Sequence, residues 1–349
     1  MSFELERGVN ISHWLSQSDR RGEARKAWFV QADVEKLAAS GFDHLRFPVD
    51  EVQLWDEQGE REAEAFELLE QGLDWCAQAD LRAVVDLHIV RSHYFNATGE
   101  PPLFSDPAEQ GKFCELWRDL SEALAQRSLD RVAYELLNEP NAPNNEDWNA
   151  LAARALAEVR RHEPERVVAI DCNGVADSRF FSALRVPKDE NLILSFHFYD
   201  PLLFTHYRAP WAVMGVYEGP VNYPGELVSR EEWDTFPPEL RFACRNERVF
   251  AESDIERVLE PALALAKETG VPLWCGEFGA YGTTPELARE RWYRDVPAAL
   301  KRHEIPWTVW DYKGDLGASG DEDFGVFDTQ GRPTLVHRAL SEAISSHGA

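Results

Sequence analysis

The chain has 349 residues, of which 44% are hydrophobic, so it can bury a large core and lacks the composition of a disordered protein. It carries 62 Asp and Glu against 36 Lys and Arg, a formal net charge of −26. This surplus of negative charge would repel phosphate backbones and anionic lipids, which argues against nucleic-acid and membrane partners. A neutral ligand such as a polysaccharide would be indifferent to it.

Apolar runs of strand length alternate along the chain with amphipathic stretches of helix length. The predicted strands span residues 8–11, 44–48, 83–87, 132–137, 167–171, 192–196, 273–276 and 307–311. The predicted helices span residues 31–40, 63–79, 109–126, 148–161, 255–269, 287–302 and 334–345, with a weaker and shorter helix at 177–184.

Strands separated by helices predict an α/β fold with a parallel sheet and right-handed crossovers. Two architectures fit this order, a closed (β/α)8 TIM barrel and an open doubly wound sheet. No Gly-x-Gly-x-x-Gly follows the first strand, as a dinucleotide-binding open sheet would require. The strand count and the missing motif favour the closed barrel.

Residues 200–253 interrupt the alternation and are too many for an ordinary loop between a strand and a helix. This stretch is rich in aromatic residues and prolines, so we expect a folded insertion rather than a linker. It follows the sixth strand at the end where barrels place their active sites. It is therefore predicted to be either a subdomain with its own aromatic core or a wall of the cleft, within a single catalytic domain formed by residues 1–349.

Five cysteines form no close pair and, being odd in number, cannot all be bridged. Three lie in apolar or helical patterns, where buried free thiols are common, which fits a reducing compartment. The first residues lack the basic and apolar segments of a secretion signal. A cytoplasmic protein is therefore expected, or a secreted one if a leader has been removed. No apolar stretch approaches membrane-spanning length.

Two glutamates each follow a short apolar run. Glu139 lies in Leu137-Asn-Glu-Pro140 after the fourth strand, and Glu277 lies in Gly276-Glu-Phe-Gly279 after the seventh. Residues at the C-terminal ends of different barrel strands meet at one site. Glycoside hydrolysis needs such a pair, because one carboxyl protonates the leaving oxygen while the other attacks the sugar or activates water.

Further polar and aromatic residues lie at the C-terminal ends of the strands. They are Arg46, His88, Asn138, His197, Tyr199 and Trp310. With both glutamates in this order, the chain strongly resembles family 5 glycoside hydrolases, the cellulase-like retaining β-glycosidases, over nearly its whole length. The resemblance implies that Glu139 is the acid/base and Glu277 the nucleophile. It also implies that Asn138 contacts the sugar 2-hydroxyl and that the remaining residues line the cleavage point.

The chemistry of the two acids sets separate requirements. Glu139 needs a pKa raised by burial or by a neighbouring negative charge, whereas Glu277 must stay ionised, which Arg46 and Tyr199 would favour. Pro140 is expected to hold Glu139 in an extended conformation. We predict carboxyl groups about 5–5.5 Å apart and net retention, since a separation beyond about 6.5 Å would indicate inversion.

Several other residues are weaker candidates for sugar contact. His13 and Trp14 follow the first strand on the expected face of the barrel, in a stretch similar to the start of some β-glucan-active members, including exo-acting ones. Asn173-Gly174 follows the fifth strand and is also a candidate. Outer sugar-binding positions are predicted from loop position alone for Trp55, His93, Tyr94, Trp211 and Trp233.

The predicted function is retaining hydrolysis of a neutral β-linked glucan or gluco-oligosaccharide, in the manner of an endo-β-glucanase. An exo-acting β-1,3-glucanase or β-glucosidase and a mannan-active enzyme stay open, because no motif encodes the shape of the sugar-binding positions. A carbohydrate-binding barrel without catalysis is a further alternative, opposed by the presence of both acids and Arg46. No His-x-His pair occurs, and no metal or other cofactor is expected.

Overall fold

The computed structural model describes residues 3–313, 325–328 and 331–345. Its strands are β1 (Arg7–Asn10), β2 (His44–Asp50), β3 (Arg82–Ile89), β4 (Val132–Glu135), β5 (Val168–Asp171), β6 (Leu192–Phe198), β7 (Gly225–Glu226), β8 (Val249–Phe250), β9 (Leu273–Phe278) and β10 (Trp307–Val309). Its α-helices are α1 (Glu23–Trp28), α2 (Gln31–Ala39), α3 (Glu51–Leu54), α4 (Ala63–Gln78), α5 (Pro102–Ser105), α6 (Pro107–Leu124), α7 (Asn145–His162), α8 (Leu202–Thr205), α9 (Arg230–Thr235), α10 (Pro238–Ala243), α11 (Glu252–Thr269), α12 (Glu286–Arg302) and α13 (Leu335–Ser345).

Eight strands form a closed parallel barrel in the order β1-β2-β3-β4-β5-β6-β9-β10, with β10 pairing back onto β1. The predicted TIM barrel is therefore confirmed. Each of the eight predicted strands is present, with ends displaced by at most two residues. The short helices α1, α3 and α5 were not predicted, because four to six residues are too few to show a helical period.

The barrel interior changes from apolar to polar along its axis. A cluster near the N-terminal ends includes Val84, Ala133, Ala169 and Trp274. Alternate residues of a strand face the same side, so the residue two positions later on each strand also points inward. These next positions are Asp86 on β3, Glu135 on β4, Asp171 on β5 and Gly276 on β9. The strand period thus places a layer of buried acids directly below the C-terminal face.

The insertion between β6 and α11 contains α8, α9, α10 and the antiparallel pair β7-β8. It packs aromatic rings of its own: Phe236 lies 5.3 Å from Trp233 and 5.0 Å from Tyr217 between ring centroids. Arg245 connects it to the barrel by an ion pair of 2.7 Å with Asp177. None of the helices in the described ranges is long and apolar enough to cross a bilayer.

Candidate active site

A cleft with a cavity of about 340 Å³ opens at the C-terminal face of the barrel. Both predicted acids line it, as do His13, His88, His197, Tyr199 and Trp310. Arg46 and Asn138 lie directly beneath and are completely or almost completely buried. The strand ends therefore bring together the two acids, the six residues predicted with them, and His13.

Glu139 enters the cleft from the segment that follows β4. Its backbone has φ of 47°, in the left-handed region that L-residues other than asparagine and aspartate seldom adopt. The expectation that Pro140 holds Glu139 extended is therefore wrong. The Glu139 N–H donates a 3.1 Å hydrogen bond to Asp171 Oδ2 at the end of β5. The local sequence does not favour this backbone conformation of Glu139, and the hydrogen bond to Asp171 is a tertiary contact that accompanies it.

Glu277 lies within β9 and its carboxylate receives two strong donors. Arg46 Nη1 donates to Oε1 at 2.7 Å, and the Tyr199 hydroxyl donates to Oε2 at 2.7 Å. The preceding residue, Gly276, leaves room for the ring of His197, because a Cβ there would lie 3.3 Å from Nε2. Glycine thus permits the histidine and the nucleophile candidate to lie side by side.

His197 connects the two acids. Its Nδ1 lies 2.8 Å from Glu139 Oε1 and 3.5 Å from Glu277 Oε2. Both glutamates also present a carboxylate oxygen within 4.8 Å of the other. This close approach fits the spacing of about 5–5.5 Å between carboxyl groups in retaining enzymes better than the about 6.5–9.5 Å that inverting enzymes need to admit a water.

The two carboxyl groups differ in the contacts that oppose the effect of burial on their pKa. Burial and the nearby Glu277 charge raise the pKa of Glu139 well above its usual range. Burial also raises the pKa of Glu277, to about 7, but Arg46 and the Tyr199 hydroxyl act against this rise. We therefore assign the first ionisation of the pair to Glu277 and the retained proton to Glu139.

Arg46 is the buried cation of the acid layer. Its guanidinium donates to Glu135 Oε2 at 2.6 Å, to Asn10 Oδ1 at 2.9 Å and to Asn138 Oδ1 at 2.8 Å, and lies 2.9 Å from Asp86 Oδ2. These contacts use the fork of donors fully. Arg46 therefore fixes the base of the site as well as the charge of Glu277.

His88 and Trp310 form one side of the cleft. Their rings stack with 5.6 Å between centroids and 10° between planes. Burial and the Arg46 charge lower the pKa of His88 well below its usual range, so the ring is neutral. It donates from Nδ1 to Asp86 Oδ2 at 2.6 Å and accepts at Nε2 from the Gln17 amide at 2.9 Å. Gln17 also lines the cleft, and no motif in the sequence points to it.

The prediction that Trp14 contacts a sugar is wrong. Its side chain is 1% exposed, its indole N–H donates to the Arg25 carbonyl, and its ring packs against Phe29 in the core. His13 has φ of 55°, so the chain reverses there. His13 consequently faces the cleft, while the next residue faces away from it and does not contact a sugar.

The outer candidates divide in the same way. Tyr94 and Trp211 line the cleft, on the barrel side and the insertion side respectively. The other three were wrongly predicted and are buried against aromatic neighbours: Trp55 on Phe66, His93 on Phe104 and Trp233 on Phe236. Asn173 is buried and exchanges hydrogen bonds with the Ala142 backbone, so it supports the loop rather than entering the cleft.

Among the residues that the structure describes, two groups of side chains each present three potential metal-ligand atoms within 4.8 Å of one another. One consists of Glu139, His197 and Glu277, the other of Glu135, Asp171 and His197. In each group one carboxylate already binds the Arg46 guanidinium. A cation there would face that positive charge, so the geometry favours acid–base chemistry by the side chains themselves.

A family model described as cellulase (glycosyl hydrolase family 5) matches residues 11–315. The chain belongs to glycosyl hydrolase family 5. Endoglucanase C of Acetivibrio thermocellus is 28% identical over 331 residues, which are 93% of this chain and 94% of that protein. Cellodextrinase A of Ruminococcus flavefaciens is 26% identical, covering 86% of this chain and 83% of its own length.

Solved structures show the same fold. Thermotoga maritima Cel5A, solved in complex with mannotriose, superposes with a TM-score of 0.74 and 21% identity, covering 96% of this chain and 97% of that chain. The barrel fold described above is therefore shared with this solved structure.

Proposed function

We propose that this protein is a retaining glycoside hydrolase that cleaves β-linked glucan or gluco-oligosaccharide in the manner of an endo-β-glucanase. The single observation that carries this proposal is the unequal pair of buried carboxyl groups on one histidine. The Glu277 carboxylate receives two charge-stabilising donors, whereas the Glu139 carboxyl contacts the neutral His197 ring and stays protonated. Retaining hydrolysis needs this division between nucleophile and acid.

The reaction follows in two displacements. Glu277 attacks the anomeric carbon and the glycosidic bond breaks, while Glu139 delivers its proton to the leaving oxygen. Glu139 then removes a proton from water as that water attacks the glycosyl-enzyme, which frees Glu277. The sugar is released with its original anomeric configuration. General acid catalysis of this kind contributes about 10²–10⁴-fold to the rate.

The substrate class is supported by the relatives and by the cleft. The two relatives are named an endoglucanase and a cellodextrinase, and both align over most of this chain. The cleft is lined by Tyr94 on the barrel side and by Trp211 on the insertion side. Aromatic rings at both walls suit the apolar faces of neutral sugars. We infer that short, soluble gluco-oligosaccharides are the preferred substrates.

A reducing, cytoplasmic location is a further part of the proposal. All five cysteines are buried and unpaired, as expected for a protein that meets no oxidising environment. Antibody detection of the protein in separated cytoplasmic and extracellular fractions tests this point independently of the chemistry.

The activity test uses cello-, laminari- and manno-oligosaccharides in parallel, with reducing-sugar release as the readout. Hydrolysis of cello-oligosaccharides with the β-anomer as the first product, observed by proton NMR, is expected. The variants Glu139→Ala and Glu277→Ala serve as controls for contaminating enzyme. Binding of glucans without release of sugar from any of them would make the protein a carbohydrate-binding barrel instead, and a first-formed α-anomer would remove the nucleophile role from Glu277.

A further inference from the structure

Asp171 contacts the acid/base candidate from below. It ends β5, is completely buried, and accepts the Glu139 N–H at 3.1 Å. It lies too deep to meet a substrate, and no sequence motif points to a role for it. The hydrogen bond that joins it to a reacting residue is the one to the Glu139 amide.

The Glu139 backbone needs such a contact. Its φ of 47° is unfavourable for an L-residue with a long side chain, and a following proline further favours extended backbone at this position. The left-handed conformation persists only where the surroundings impose it. A carboxylate that accepts the amide of that very residue is a direct means of imposing it.

Other hydrogen bonds hold the same segment but act beyond Glu139. Val175 N–H donates to the Pro140 carbonyl at 3.1 Å, and Asn173 exchanges two bonds with the Ala142 backbone. These fix where the loop goes after the acid. Within the described ranges of the chain, the bond to Asp171 is the one that reaches the backbone of Glu139 itself.

We propose that Asp171 is a positioning residue for Glu139, holding its backbone so that the carboxyl points at His197 and the leaving oxygen. The inference rests on the proposed function. It assigns Asp171 to proton delivery and not to nucleophilic attack, because Glu277 is held independently by Arg46 and Tyr199. Steps that need no proton from Glu139 should therefore be insensitive to Asp171.

The chain offers a graded set of variants. Asp171→Asn keeps an acceptor for the Glu139 amide, and its own N–H groups can donate to Glu135, whose carboxylate lies within 4.8 Å of Asp171. Asp171→Ala removes the acceptor, and Asp171→Ser removes it while keeping a small polar group, in case the alanine variant does not fold. Cys172→Ala is the matched control: this neighbour is equally buried, but its thiol donates to the Asp177 carbonyl.

The test compares kcat/KM for cellotetraose with kcat/KM for 2,4-dinitrophenyl β-cellobioside, whose phenolate leaves without protonation. Misplacement of a catalytic group by about 1 Å costs on the order of 10²-fold. Asp171→Ala and Asp171→Ser should lose about 10–100-fold on cellotetraose and little on the dinitrophenyl substrate. Asp171→Asn and Cys172→Ala should keep most of the activity on both, and thermal melting should confirm that all variants are folded.

Three results would overturn the inference: full activity of Asp171→Ala on cellotetraose, equal losses on both substrates, or damage in Asp171→Asn as large as in Asp171→Ala. A wild-type protein that releases no dinitrophenol would instead overturn the proposed function. The two failures are therefore distinct.

Discussion

The Tyr199 hydroxyl donates a 2.7 Å hydrogen bond to Glu277 Oε2, and Arg46 binds the other oxygen of the same carboxylate. Both donors stabilise the ionised form, and both come from residues that are themselves tied to the barrel. Glu139 has no comparable cationic donor in the described structure. The roles of two chemically identical side chains are thus set by what contacts them.

Removal of the Tyr199 hydroxyl should raise the pKa of Glu277 further. Glu277 acts as the ionised form, so activity is lost as pH falls through its pKa, which burial already places at about 7. In Tyr199→Phe the acidic limb of kcat/KM against pH should move to higher pH. A hydrogen bond to a charged group is worth about 1.5–3 kcal/mol, so kcat/KM at pH 6 should fall about 10–100-fold.

Tyr293→Phe is the control for this variant. Tyr293 is buried on α12, behind the strand β9 that carries Glu277. Its hydroxyl accepts the Ala280 N–H at 2.9 Å and does not contact Glu277. Its loss should lower the melting temperature and leave the acidic limb in place. An unchanged acidic limb in Tyr199→Phe would show that the hydroxyl does not control the ionisation of Glu277.

Chemical rescue should separate the two acids. In Glu139→Ala a small anion such as azide can enter beside the glycosyl-enzyme and attack it, which gives a β-glycosyl azide from the dinitrophenyl cellobioside. In Glu277→Ala azide replaces the nucleophile itself and gives the α-glycosyl azide by a single displacement. Without azide, each variant should lose about 10²–10⁴-fold or more of the activity on unactivated oligosaccharides. NMR of the azide products checks both outcomes, and exchanged anomers would reverse the assignment.

The stability of the protein should depend on the charge of Glu139. Its pKa is raised in the folded state, mainly by burial, so between the unfolded and folded values the native state binds the extra proton. Its contribution to stability is therefore complete below the unfolded pKa and is lost as pH rises through the folded pKa. Glu139→Gln removes this loss and should stabilise the protein by about 0.5–2 kcal/mol at alkaline pH.

Urea unfolding of wild type and Glu139→Gln at pH 5 and pH 9 measures this effect. The difference in unfolding free energy should be larger at pH 9. Glu57→Gln is the matched control, because Glu57 is exposed and should show no such difference between the two pH values. A gain that is equal at both pH values would point to packing and not to a buried charge.

The regular elements could be predicted because their burial follows simple periods. Each barrel strand appears in the sequence as an apolar run. Glu139 and Glu277 each lie near the C-terminal end of one such run, both in the sequence and in the structure. The layer of Asp86, Glu135 and Asp171 was also encoded, since buried acids inside apolar strands are unusual, but their role emerges only when three strands are placed side by side.

Positive φ angles explain two of the predictions that failed, the sugar contact of Trp14 and the extended backbone of Glu139. The period that assigns side chains to faces assumes one backbone conformation, and His13 and Glu139 both depart from it. At His13 the departure turns Trp14 into the core, and at Glu139 it turns the acid toward the cleft. Tertiary contacts fix these conformations, such as the Asp171 carboxyl on the Glu139 amide, and no local pattern records such contacts.

Trp211 lies on the cleft wall that the insertion forms. There it should contact the leaving-group sugar of a bound oligosaccharide or the sugar next to it. Its ring lines the cleft and is supported edge-on by Tyr281, with 5.0 Å between centroids. Loss of such an aromatic anchor costs about 1–2 kcal/mol of binding, so Trp211→Ala should raise KM for cellotetraose about 5–30-fold. A phenyl glucoside, which fills fewer sugar-binding positions, should be affected much less.

Phe242→Ala is the control, because Phe242 belongs to the same insertion, is 78% exposed and does not line the cleft. Equal effects of the two variants on cellotetraose, or an unchanged KM in Trp211→Ala, would show that the insertion does not contribute to binding through this ring.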